Sequence, residues 1–224
     1  MPRRLPTSTA GVVFHVFNRG ARRMRLFEHP PDYRSFLRLV KRAQNRTPVR
    51  CLAYCVMPNH FHMVLWPIAE GDLSRFMFWL TTMHARTWQR LHGTEGLGHV
   101  YQGRFKALPV AEDGHLLRLC RYVEQNPLRA GIVSRAEDWQ WSSLSQWRDG
   151  AGAVKLTPWP LPRPDDWLRV VNEVSSDETA CIRRAIRRNA PYGADGWREA
   201  IVSQLGLQRT VATIGRPKKE AGFR

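Results

Sequence analysis

Residues 49–66 read VRCLAYCVMPNHFHMVLW, and they contain the pattern on which the prediction of the fold rests. It contains two runs rich in β-branched and aromatic residues, 49–57 and 60–66, with only two residues between them. Two such runs around a two-residue break are typical of neighbouring strands joined by a tight turn. The stretch therefore predicts an antiparallel β-hairpin. If alternation is regular, Cys51 and Cys55 project from the same face of its first strand.

Strand and helix patterns continue on both sides of this hairpin. Strands are predicted at 12–18 and 103–110, and helices at 30–46, 73–91 and 112–126. The last helix is expected to stop at Asn126, because the residue before a proline disfavours the helical conformation. The order β-α-β-β-α-β-α predicts an α+β fold, a ferredoxin-like split βαβ palm. Its antiparallel four-stranded sheet would carry two helices on one face, with the extra helix 112–126 near the sheet.

The charge of the chain indicates a polyanionic partner. Lys and Arg number 35 against 19 Asp and Glu, a net charge of +16. Self-repulsion of this size is usually offset by binding a polyanion. Residues 1–50 carry twelve basic and two acidic residues, and residues 151–224 carry thirteen and eight. The two ends are therefore expected to build a basic surface, with nucleic acid as the favoured partner and an anionic membrane surface as the second.

Other features favour a cytoplasmic protein. The sequence has no apolar run near the roughly 18 residues of a membrane-spanning helix. Its first residues, MPRRLPTSTAG, lack the apolar core of a signal peptide. Four cysteines form no CxxC pair, so we expect reduced, buried thiols, at positions Cys51, Cys55, Cys120 and Cys181.

His60 and His62 lie two residues apart on the second strand of the hairpin. Their side chains therefore project from one face, while Phe61 points to the other. Two adjacent imidazoles can share a divalent cation and leave positions open for water and a phosphate oxygen. Mg²⁺ or Mn²⁺ with oxygen co-ligands suits such a site, although histidine also accepts Zn²⁺. Taken alone, the pattern fits two structural histidines better than a metal site.

Tyr122 and Asn126 lie four residues apart on the helix 112–126, so both project from one helix face. A phenol and an amide oxygen can then reach the same metal-bound phosphate, with Tyr122 as the nucleophile and Asn126 as a third metal ligand. The alternative is a core tyrosine beside an asparagine that caps the helix ahead of Pro127. For Asn126 the two interpretations are compatible.

Taken together, these motifs resemble a known family. The segments concerned are FHVFNRG at 14–20, MPNHFH at 57–62, GRF at 103–105 and YVEQNPLRAGIV at 122–133. Their order and separation are similar to those of the single-tyrosine transposases with a His-hydrophobic-His (HUH) motif, and more narrowly to the REP-associated tyrosine transposases. The resemblance covers residues 8 to about 150.

The resemblance implies a specific chemistry. Tyr122 would attack a phosphodiester of single-stranded DNA, leaving a 5′-phosphotyrosine and a free 3′-OH that can later rejoin the strand. His60, His62 and Asn126 would bind Mg²⁺ or Mn²⁺. The implied substrates are palindromic, REP-like repeats that fold as hairpins, and the implied enzyme acts as a monomer near the bacterial nucleoid. The alternative is a non-catalytic protein that binds single-stranded or hairpin nucleic acid on the same fold.

Basic residues near these motifs are candidates for phosphate contacts, because positioning contacts go mostly to the DNA backbone. Any of them can also be an ordinary solvated charge. The candidates are Arg19, Arg22, Arg23, Arg25, Arg104 and Lys106, and towards the C-terminus Arg183, Arg184, Arg187, Arg216 and Lys218.

The composition of the sequence changes after Gly150, where prolines become frequent. Four prolines between 158 and 164 predict a stiff linker. Short helical patterns follow at 165–174, 177–188 and 195–206. We therefore expect a catalytic HUH transposase domain over residues 8–150, and over 151–224 a proline-rich linker with a basic, DNA-binding helical extension.

Overall fold

The computed structural model describes residues 10–212. Its centre is one four-stranded antiparallel sheet with the strand order β2-β3-β1-β4. The strands are β1 (Val13–Arg19), β2 (Val49–Met57), β3 (His60–Pro67) and β4 (Lys106–Val110). The predicted hairpin is β2 and β3, in which Met57 pairs with His60 across the two-residue turn. The α+β fold class with a ferredoxin-like sheet order is confirmed.

Helices cover both faces of the sheet. They are α1 (Pro30–Arg46), α2 (Asp72–His92), α3 (Gly114–Glu124), α4 (Asn126–Arg129), α5 (Ser143–Asp149), α6 (Trp167–Asn172), α7 (Ser176–Arg188), α8 (Asp195–Leu205) and α9 (Gln208–Val211). Phe36 of α1 and Leu80 of α2 pack with Phe61 on one face. Leu119 of α3 packs with Val64 on the other face. Because side chains alternate along β3, His60 and His62 project towards α3.

A β-bulge in β2 overturns the expectation that Cys51 and Cys55 share a face. The pairing with β3 shifts between Cys51 and Ala53, so one extra residue is inserted. Cys51 therefore joins the core under α1 and α2, whereas Cys55 joins the core under α3. All four cysteines are free thiols, but Cys181 is exposed on α7 instead of buried.

The fourth strand is shorter than predicted, because it begins at Lys106 and not at residue 103. The chain first meets the end of β1 through a bridge between Gly20 and Tyr101. It then leaves the sheet, and the Asn18 side-chain amide holds the carbonyl of Gly103 at 3.2 Å in place of a strand partner. Arg104 therefore lies on a loop and not on a strand.

The helix expected over 112–126 is two helices with a break at Gln125. Pro127 has no N–H, so it leaves the Val123 carbonyl without its usual helical partner. The Asn126 side-chain amide donates to that carbonyl at 3.2 Å and to the Tyr122 carbonyl at 3.1 Å. The capping interpretation of Asn126 is thus confirmed, and the proline opens a new helical turn instead of ending the helical path.

The residues after position 150 pack onto the same sheet. Trp159 in the proline-rich segment donates to the carbonyl of Leu52 at 2.8 Å. Trp167 is almost fully buried and donates to the Glu124 carboxylate at 2.7 Å. The predicted linker is therefore a packed segment, while the division into two domains at residue 150 stays a prediction. No helix within residues 10–212 has the length and hydropathy of a membrane span.

Candidate active site

The structure brings His60, His62 and Tyr122 together in one pocket of about 600 Å³. The ring centroids of His60 and His62 are 5.0 Å apart, and those of His62 and Tyr122 are 6.1 Å apart. The histidines come from a hairpin strand and the tyrosine from a helix some 60 positions later in the chain. Their side chains meet because α3 covers the face of the sheet to which both histidines point.

The β2–β3 turn fixes the ring of His60. The Asn59 side-chain oxygen lies 2.6 Å from His60 Nδ1 and accepts its proton, so Nε2 keeps its lone pair. The Asn59 carbonyl in turn accepts a hydrogen bond from the backbone of Gly20 at 2.9 Å. Only glycine fits at this position, since a Cβ on Gly20 would lie 2.4 Å from the carbonyl oxygen of Met24. The end of β1 therefore holds the turn that orients His60.

His62 has a partner that the sequence did not reveal. Its Nδ1 lies 2.8 Å from Nε2 of His15 on β1, and both rings are buried. Phe17, two residues along β1, closes the same side of the pocket with its ring centroid 5.7 Å from that of His62. A histidine in an apolar strand looks structural until the register of the strands is known, so His15 carried no signal for this role.

All three imidazoles of the site are neutral at pH 7. Burial lowers the pKa of His15 to about 3, and burial together with the charges of Arg19 and Arg129 lowers that of His60 to about 4. Burial, reinforced by the neighbouring His60 and His15, holds the pKa of His62 well below its usual value. The neutral imidazole is the form that binds a metal ion.

Arg129 is a further site residue that the sequence reasoning missed. Its guanidinium lies over the ring of Tyr122, 4.0 Å from the ring centroid, and its Nη2 donates to the Asn126 side-chain oxygen at 2.9 Å. Its Nε and Nη1 atoms are buried and make no hydrogen bond with the described residues. Burial lowers the pKa of Arg129, and the neighbouring Tyr122 opposes that shift. Its spacing, one helical turn beyond Asn126, would be a signal only if the helical path were known to continue past Pro127.

Asn126 lies on the pocket wall with both parts of its amide engaged. Its nitrogen caps α3 and its oxygen accepts from Arg129, which leaves one lone pair of that oxygen free. Two imidazoles and one amide oxygen are a mixed donor set: with further oxygen ligands it can hold Mg²⁺ or Mn²⁺, and the imidazoles also accept Zn²⁺. Residues 10–212 contain no group of three or more His, Cys, Asp or Glu side chains with the arrangement of a metal site.

The basic residues predicted to contact DNA divide into several groups. Arg19, Arg104, Lys106 and Arg183 line the pocket of Tyr122. The exposed Arg22, Arg23 and Arg25 follow β1 outside the pocket wall. Arg184 lines a separate cavity beside α3, and Arg187 is exposed on α7 without lining either cavity. Arg216 and Lys218 lie outside the described residues.

Comparison with known proteins places the chain in a family. Residues 8–126, more than half of the sequence, match the model of the IS200-like transposases. The chain belongs to the IS200-like transposase family. The matched segment includes His60, His62 and Tyr122, so family membership and the geometry of the pocket concern the same residues. An IS200-like transposase has a transposase-type activity on nucleic acid.

Among solved structures, this IS200-like transposase is similar to a REP-associated tyrosine transposase bound to a REP hairpin. The TM-score is 0.53 and the identity 20%, over 70% of this chain and 92% of the other. At this identity the likeness confirms the fold. The comparison with curated protein sequences gives no match for this IS200-like transposase.

Proposed function

We propose that this IS200-like transposase cleaves and rejoins single-stranded DNA beside hairpin-forming palindromic repeats, with Tyr122 as its covalent nucleophile. One observation carries the proposal: the Tyr122 ring lies beside the two strand histidines in a pocket whose wall also holds free arginine and lysine side chains. The phenol supplies a nucleophile, the neutral imidazoles supply metal ligands and the basic rim supplies charge against a phosphate, which together support a phosphodiester transfer to tyrosine.

The reaction exchanges one phosphodiester for another. The Tyr122 oxygen forms a bond to phosphorus and loses its proton, while the bond between phosphorus and the 3′ oxygen of the preceding nucleotide breaks. That oxygen takes up a proton and leaves as a 3′-OH. The DNA on the other side stays attached to Tyr122 through its 5′ phosphate. In the reverse direction a 3′-OH attacks this phosphotyrosine and releases Tyr122, so joining needs no nucleotide cofactor.

The proposal assigns separate roles to the remaining pocket residues. His60 and His62 would hold a divalent cation through Nε2, and the Asn126 oxygen would be a third donor. When bound, Mg²⁺ or Mn²⁺ supplies positive charge against the phosphate and polarises the scissile bond. Arg129 stabilises the negative charge of the Tyr122 oxygen when that group attacks and when it leaves.

The DNA partner is proposed from charge and from the fold. The pocket rim carries Arg19 of β1, Lys106 of β4, Arg183 of α7 and Arg104 of the loop before β4, so it presents positive charge to a DNA strand from several sides. The structural relative is bound to a REP hairpin, which supports a hairpin as the substrate here. The basic residues outside the pocket, including Arg22, Arg23, Arg25, Arg184, Arg187, Arg216 and Lys218, are proposed to hold the hairpin and its flanks.

The test is the formation of a covalent adduct. The chain is incubated with Mn²⁺ and an end-labelled DNA hairpin that carries single-stranded flanks, and the products are separated on a denaturing gel. The proposal predicts a slow-migrating species in the wild type that is absent in Tyr122→Phe. Tight hairpin binding without cleavage or adduct would instead support a nucleic-acid-binding protein. Faster cleavage of the matching RNA would support a hydrolase of another phosphodiester.

A further inference from the structure

We propose that His15 is a positioning residue for the metal site, because it fixes the proton of His62 on Nδ1 and so leaves Nε2 free to bind the cation. This inference rests on the proposed function, in which His60 and His62 are metal ligands. It concerns a residue on another strand that touches neither the cation nor the DNA.

The contact itself demands one shared proton. His15 Nε2 and His62 Nδ1 are 2.8 Å apart, a hydrogen-bond distance between two ring nitrogens. Two lone pairs or two protons cannot face each other at that separation, so one nitrogen donates and the other accepts. The His15 ring is fully buried and its Nδ1 makes no hydrogen bond to any described residue, so no second polar contact on that ring decides which nitrogen donates.

The two arrangements differ in what His62 presents to the pocket. If His62 donates from Nδ1, its Nε2 carries a lone pair and can bind a metal ion. If His15 donates from Nε2, the proton of neutral His62 lies on its own Nε2, and the ring cannot act as a ligand there. Metal binding therefore requires His15 to be the acceptor, the role that carbonyls and carboxylates usually fill behind metal-binding histidines.

The neighbouring ligand supports this reading. His60 has an acceptor behind its Nδ1 in the Asn59 side chain, at 2.6 Å. Both proposed ligands therefore have a partner on Nδ1, and both have Nε2 left for the pocket. The ring planes of His15 and His62 differ by 17°, and their centroids are 5.0 Å apart although the two nitrogens are 2.8 Å apart. The rings therefore meet edge to edge in nearly one plane, where a ring nitrogen's lone pair points at the opposite nitrogen.

Two substitutions of His15 distinguish its role as a hydrogen-bond acceptor from the space that its side chain fills. In His15→Gln the side-chain oxygen can reach the place of Nε2 and can accept from His62. In His15→Leu the apolar volume stays and the acceptor is lost. His84 is a control, since it is another buried histidine, bonded to Tyr101 at 2.6 Å and absent from the pocket wall. His84→Asn is the matched variant.

Mn²⁺ affinity is measured on the full chain by the loss of the free-ion electron paramagnetic resonance signal, without DNA. We expect His15→Leu to weaken binding about 10- to 100-fold, the range observed when outer-shell partners of metal ligands are lost. His15→Gln and His84→Asn should stay within a few-fold of the wild type. A folded His15→Leu protein that binds Mn²⁺ as tightly as the wild type would overturn the inference.

Two further results keep this inference distinct from the proposed function. Wild-type protein that binds no Mn²⁺, or binds it equally well after His62→Ala, would refute the metal site and the role of His15 with it. If His15→Leu does not fold, nitrogen NMR of the Mg²⁺-loaded wild type shows whether His62 Nδ1 carries a proton. A proton on His62 Nδ1 supports the inference, and a bare Nδ1 contradicts it even though the metal is bound.

Discussion

Replacing Arg129 with methionine is expected to slow DNA cleavage strongly, because it removes a positive charge from the face of Tyr122. The guanidinium carbon lies 4.0 Å from the centre of the tyrosine ring. Two unit charges about 4 Å apart interact by about 4 kcal/mol at an effective dielectric constant of about 20. Arg129 is only half-buried, so we discount this to about 2–3 kcal/mol for the transition state, which corresponds to a rate loss of about 30- to 150-fold.

The assay is single-turnover cleavage of a labelled hairpin with single-stranded flanks, at saturating protein. Arg129→Lys keeps the charge but loses the planar stack and the bond to Asn126, so its rate should fall between those of the wild type and Arg129→Met. Arg129→Ala should recover part of its rate when ethylguanidinium is added, which a purely structural role does not allow. A stable Arg129→Met protein that cleaves within threefold of the wild-type rate would show that Arg129 does not stabilise the transition state.

Three other predictions concern binding and stability. Arg104→Ala should weaken hairpin binding and reduce the slope of log affinity against log salt by about one, measured by fluorescence anisotropy; an unchanged slope would mean that Arg104 makes no phosphate contact. Trp167→Ala should lower the free energy of unfolding in urea by about 3–5 kcal/mol, because it empties a core site and removes one of the two side-chain hydrogen bonds to the buried Glu124 carboxylate, and a loss below about 1 kcal/mol would contradict that. Burial lowers the pKa of His84 to about 3, so the unfolded chain binds more protons between pH 6.5 and 3 and stability falls as the pH drops below 6.5. This histidine alone should account for about 2 kcal/mol between pH 6.5 and 5, and His84→Asn should show a correspondingly smaller loss.

The elements that local periodicity controls could be predicted from the sequence. The hairpin around Pro58 follows from two strand patterns and a two-residue break, and alternation then places His60 and His62 on one face. The position of Tyr122 one turn before Asn126 follows from helical spacing. None of these inferences needs knowledge of distant contacts.

Features that depend on register or on irregular backbone could not be predicted. A bulge in β2 places Cys51 on the face of the sheet opposite to the one expected. The order of apolar and polar residues along β2 does not indicate this bulge. His15 meets His62 only because β1 pairs beside β3 in one particular register, which places His15 opposite Val64. Arg129 reaches Tyr122 only because the chain continues as α4 beyond Pro127, where a proline favours an end to the helix.

The packing of the C-terminal region also could not be predicted from the sequence. A run of alternating prolines is typical of a stiff, exposed linker, yet Trp159 and Trp167 anchor this segment to the carbonyl of Leu52 and to Glu124. Burial of tryptophan against partners more than 40 positions away is a non-local outcome. As a consequence Arg183 of α7 lines the same pocket as Tyr122, where a separate DNA-binding extension was expected.

The polarity of the covalent bond between protein and DNA distinguishes attack by Tyr122 from other cleavage mechanisms. A hairpin substrate is labelled on either its 5′ or its 3′ end, cleaved with Mn²⁺, and digested so that the DNA-bearing peptide can be sequenced by mass spectrometry. We expect only the 3′-labelled fragment to remain on the protein, attached to Tyr122 through its 5′ phosphate, while the other fragment ends in a 3′-OH that a polymerase can extend. An adduct on another residue, or one that carries the 5′-labelled fragment, would show that Tyr122 is not the nucleophile that leaves a 5′-phosphotyrosine.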